Sequence, residues 1–135
     1  MRNVLATIAG FIVASLVVYI FESLIGHNLF PLPEGSEPMN MEWIKNNMDQ
    51  IPMGSKVFVV IAHFMGIAAG MFVAGLISKT SKVPAYIVGM LMIGATFFNI
   101  VVLPKETWFM LADGLLALAG FFLGTSLASK QIAKD

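Results

Sequence analysis

Four apolar blocks, residues 4–25, 57–77, 83–103 and 107–128, constrain this chain more than any other feature. Each is 21 or 22 residues long. An α-helix rising about 1.5 Å per residue needs roughly 20 residues to cross a hydrocarbon core of about 30 Å. Each block is therefore long enough to span a bilayer with modest tilt. A soluble domain of the same length would alternate polar and apolar faces. These blocks are apolar nearly all round, as required where lipid is the outer solvent. Composition agrees: 58% of residues are hydrophobic and 12% charged, against about 45–50% and about 25% in soluble domains. The fold class expected is all-α, an integral membrane four-helix bundle forming a single transmembrane domain over residues 1–135.

The first block follows Arg2, as a secretory signal would. Its apolar run, from Val4 to Phe21, exceeds the roughly 7–15 residues of a signal core, and no Ala-x-Ala site follows it. It reads as a retained span. The chain has no cysteine, which excludes disulfides and thiolate chemistry. Zero net charge gives no pull toward nucleic acid. The ten methionines sit mostly in or beside the apolar blocks and read as packing residues.

Charge sets the orientation. One side carries Arg2, Lys79, Lys82, Lys130 and Lys134, with Asp135 as its acid. The other carries Lys45, Lys56 and Lys105 among Glu34, Glu37, Glu42, Asp49 and Glu106. The excess of Lys and Arg on the first side points to both termini in the cytoplasm, N-in and C-in. The short connections 78–82 and 104–106 make the second, third and fourth spans sequential neighbours. The outer loop, residues 26–55, opens on a Pro-rich turn at Pro31 and Pro33. A short amphipathic helix is expected over residues 39–51, with Met41, Ile44, Met48 and Ile51 on one face and Trp43 near it. Such a helix either lies in the interface or lids the bundle.

Small residues mark the packing faces. Ala62, Gly66, Gly70 and Ala74 recur every fourth position in the second span, and Gly120, Gly124 and Ala128 do so in the fourth. This spacing lets helix backbones approach closely in lipid. The two stripes are expected to meet each other or to form an oligomer interface.

Each span also contributes one polar side chain toward its outer end: Glu22, His63, Asn99 and Asp113, with His27 just beyond the first. His63 and Asp113 lie on the small-residue faces of their helices, about 9 Å from the outer end of each block. Lipid exposure of such groups is unfavourable, so they should face inward and pair. Three uses follow. The plainest is interhelical hydrogen bonding that locks the bundle. The second is binding or transport of a cation or proton, since ionisable intramembrane residues mark such sites. The third is a metal-dependent enzyme, with His63, Asp113, Glu22 and His27 as candidate ligands. No His-Glu-x-x-His, Walker-type or Gly-x-Ser-x-Gly pattern is present, so no activity is specified, an enzyme is the lesser expectation, and no cofactor is required. An accessory subunit, docking through its glycine-rich faces in a homo-oligomer or larger membrane complex, is the remaining alternative; lipid is the one partner the composition implies.

The run Asn99-Ile100-Val101-Val102-Leu103-Pro104 with Trp108-Phe109, the Pro31-x-Pro33 turn and the His63-x-x-Gly66 pair resemble small four-span bacterial membrane proteins with no assigned activity. That resemblance implies the bundle and no catalytic residues.

Overall fold

The computed structural model describes residues 1–132. Lys134 and Asp135, which enter the charge argument, lie outside the described residues. Six α-helices occur in order: α1 (Arg2–Tyr19), α2 (His27–Leu29), α3 (Met41–Asn46), α4 (Met53–Ser78), α5 (Val83–Val102) and α6 (Thr107–Ile132). A π-helical segment, Ile20–Gly26, joins α1 to α2, so the first span is one continuous rod, Arg2–Leu29. Among the described residues this rod and α4, α5 and α6 are long and apolar enough to cross a membrane.

The bundle is built around α4, which packs against the first span, α5 and α6. Half of its apolar stretch is buried inside the protein, far more than in the other spans. Large apolar side chains of the surrounding helices, such as Leu115, Phe122 and Val101, stand exposed. An apolar exterior of this kind suits lipid and not water.

Small residues explain why α4 is central, but the pairing differs from the simple meeting of two stripes. The Gly66 and Gly70 face packs on the first span. A Cβ on Gly70 would lie 2.7 Å from the Gly10 carbonyl oxygen, and one on Gly66 would lie 2.9 Å from that of Ala14. The partner stripe is Ala6, Gly10 and Ala14, all buried in α1. The glycines of α6 instead meet a second face of α4: Gly120 lies against the Phe64 backbone and Gly124 against Met71, while Ala128 meets Gly75. Thus α4 carries two close-packing faces, and α1 and α6 each take one.

The loop helix is shorter than the 39–51 expected. Asn40 caps α3, its Oδ1 accepting from the Glu42 and Trp43 amides at 3.0 and 3.2 Å. The helix ends where the Asn47 side chain donates back to the Trp43 carbonyl at 2.8 Å, and a 3₁₀ turn, Met48–Gln50, follows. Its apolar residues Met41, Ile44, Met48 and Ile51 turn toward the bundle and roof a cavity. The segment covers this cavity.

Candidate functional site

The cavity beneath that segment measures about 210 Å³. Helix α4 supplies one wall. Lys56, Val59 and His63 recur at three-, four- and seven-residue spacing and so share a face, and they line the cavity together with the adjacent Ser55. Just beyond His63, Gly66 seals the same side against Val18 and Ala14.

His63 is 7% exposed, and its Nδ1 donates to Oδ1 of Asp113 at 2.5 Å. Asp113 is fully buried; its other oxygen, Oδ2, accepts from Nζ of Lys105 at 2.7 Å. A carboxylate only accepts, so the proton of this contact belongs to the ring. That leaves Nε2 as the ring's remaining polar atom, on a side chain that lines the cavity.

Lys105 reaches this position from the connection between α5 and α6. Pro104 stops α5, and the chain turns so that the Lys105 amide bonds the Leu103 carbonyl at 2.8 Å. The lysine stem then folds back along α6. Phe109 and Asp113, four residues apart, share one side of α6, and the Lys105 side chain reaches both from the connection. The ammonium sits 4.4 Å from the Phe109 ring centroid, adding a cation–π contact to its ion pair. A second lysine, Lys56, is 4% exposed and pairs with Glu106 at 2.5 Å.

Glu22 and His27 also line the cavity, although residues five apart on an α-helix point about 140° away from each other. The π winding of Ile20–Gly26 resolves this. The His27 amide bonds the Glu22 carbonyl across five residues, which brings the two side chains to one side. Asn99 of α5 completes the set. The structure therefore brings Glu22, His27, His63 and Asn99 to one cavity, with Asp113 directly behind His63.

The four candidate metal ligands do not assemble as a metal centre. Among the described residues no three His, Cys, Asp or Glu side chains stand close enough to hold an ion. Both Asp113 oxygens are already engaged, one of them by an ammonium that would repel a second cation. Sequence reasoning missed Lys56 and Lys105, which read as charges outside the membrane. Lys105 lies in the connection ahead of α6, so no helical spacing ties it to Asp113 in advance.

Comparison with family models, with curated proteins and with solved structures finds no match. What fold and site define is a class: a multi-pass α-helical membrane protein with a covered polar cavity near one end of its bundle.

Proposed function

We propose that this protein sits in the bacterial inner membrane with both termini cytoplasmic, and that its cavity faces outward as a binding site in which His63 takes up and returns a proton. The observation that carries this reading is the clamped imidazole. Asp113 fixes the ring through Nδ1, while Nε2 is left on a side chain that lines the cavity. The orientation agrees with the charge bias across the spans.

Within the earlier alternatives, cation binding is disfavoured because Lys56 and Lys105 line the same cavity. Conduction is disfavoured as well. Apart from Thr96, which bonds its own helix at the Met92 carbonyl, the Thr125 hydroxyl of α6 and Ser78 at the far end of α4, the buried polar groups among the described residues lie around this cavity. The site is thus served from one side.

The test uses the two histidines of the chain. In a His27→Gln background, His63 is followed by ¹⁵N-imidazole NMR in nanodiscs while the bath pH is varied. Reversible protonation, with the neutral ring carrying its proton on Nδ1, supports the proposal. A ring held in one form throughout the range in which the protein stays folded rejects it.

A further inference from the structure

The chemistry of the cavity lining goes further and indicates what it binds. A lysine ammonium has three N–H donors. Lys105 gives one to Asp113 and Lys56 gives one to Glu106. Both side chains are nearly buried, at 2% and 5% exposure, and both line the cavity. Each therefore keeps donor capacity on a side chain that lines this space, where an acceptor would offset the cost of a buried charge. The Ser55 hydroxyl adds to this, being buried beside them with no hydrogen-bond partner of its own. The balancing carboxylates of Asp113 and Glu106 stand behind the lysines and are not part of the lining. Glu22, from the first span, is the one acid that is. The roof has a different character. Trp43, Ile44 and Met48 from the covering segment, with Phe109 from α6, make it apolar.

We infer that the cavity is a receptor for a small organic acid, its carboxylate held by Lys56, Lys105 and His63 and its apolar body seated against Trp43, Ile44 and Phe109. This rests on the reading of the cavity as a binding site. Size fits the class: a cavity of about 150 Å³ accommodates benzene, and this one, at about 210 Å³, has room for a ring bearing one carboxylate. Charge-assisted hydrogen bonds from ammonium to carboxylate supply the specificity, and the aromatic and aliphatic roof supplies contact area.

Three probes of one shape separate charge from shape: 4-fluorobenzoate, 4-fluorobenzylamine and 4-fluorobenzyl alcohol. Their ¹⁹F line widths are measured against the full chain in zwitterionic nanodiscs, with protein-free nanodiscs correcting for partition into lipid. The expected result is saturable binding of the benzoate and none of the protonated amine. Lys56→Met should weaken it by about tenfold or more, the loss expected for one hydrogen bond to a charged group. This variant leaves Glu106 in solvent contact, so it should fold; Lys105→Met is the stronger test where it folds. Equal binding of the amine overturns the inference, as does benzoate binding unchanged in Lys56→Met or absent above the lipid control. Complete displacement of the benzoate by phosphatidylglycerol in the nanodisc also overturns it, in favour of a lipid headgroup. Loss of benzoate binding beside an intact His63 titration removes the ligand class alone, whereas a flat titration removes the proton reading.

Discussion

Asp113 is the residue on which the site turns. It is fully buried, and each of its oxygens holds a cationic or ionisable partner from a different part of the chain. Removing one member of a buried charge network leaves the others uncompensated in a low dielectric, at a cost of about 3–5 kcal/mol. Asp113→Ala is therefore expected to lower stability by that order, read as thermal denaturation in mild detergent. Lys56→Met serves as the contrast. Its partner Glu106 is 44% exposed and keeps its hydration when the lysine is gone, so the loss should stay within about 1 kcal/mol. Equal losses in the two variants would show that burial does not separate the pairs as described. At this scale the sequence was only half legible. His63 and Asp113 declare themselves as ionisable groups inside apolar blocks. Lys56 and Lys105 do not, because each sits at a block edge where a lysine ordinarily reaches for water. A long flexible stem lets the ammonium turn either way; here the buried carboxylate and the Phe109 face draw Lys105 inward.

At the scale of the helix, backbone approach matters more than any polar contact. Gly10 and Gly70 press face to face: a Cβ on either would lie 2.7 Å from the carbonyl oxygen of the other. A backbone atom cannot step aside as a flexible side chain can, so Gly70→Ala should destabilise by about 1–3 kcal/mol through overpacking. Gly94, exposed on α5, has nothing within 4 Å of its missing Cβ. Gly94→Ala should be neutral or stabilising by up to about 1 kcal/mol, since alanine is the better helix former. Parallel unfolding measurements of the two variants check the pair, and a tolerated Gly70→Ala would refute the α1–α4 seam. Four-residue spacing exposed the α4 and α6 stripes in advance but left that of the first span unremarked, and spacing cannot say which stripe meets which. The Ala6, Gly10 and Ala14 stripe competes for the Gly66 and Gly70 face and takes it, and α6 then packs on the other side of α4. The π segment was likewise illegible. Nothing in Ile20–Gly26 breaks an α pattern, and its effect, turning Glu22 and His27 to one side, becomes visible only in three dimensions.

For the whole molecule, four spans place both termini on the same side of the bilayer whichever way the bundle is inserted. Block length and apolarity made this legible, because a bilayer admits few other solutions for such segments. Which side faces the cytoplasm is a separate question, and it decides whether the cavity samples the cell interior or its surroundings. Arg2, Lys79, Lys82 and Lys130 flank one end of the bundle. At the other end two of the three lysines are folded into ion pairs. The positive-inside rule counts Lys and Arg whether or not they are paired, so the N-in expectation rests on the count alone. The absence of cysteine makes a direct measurement clean. Glu34→Cys places a thiol in the cavity-side loop, and Thr80→Cys places one in the connection between α4 and α5. On intact spheroplasts a membrane-impermeant maleimide should label the first variant at once and the second only after lysis. The reverse pattern would turn the cavity toward the cytoplasm. The acid it receives would then be an intracellular one, and the proton exchanged at His63 would come from inside the cell.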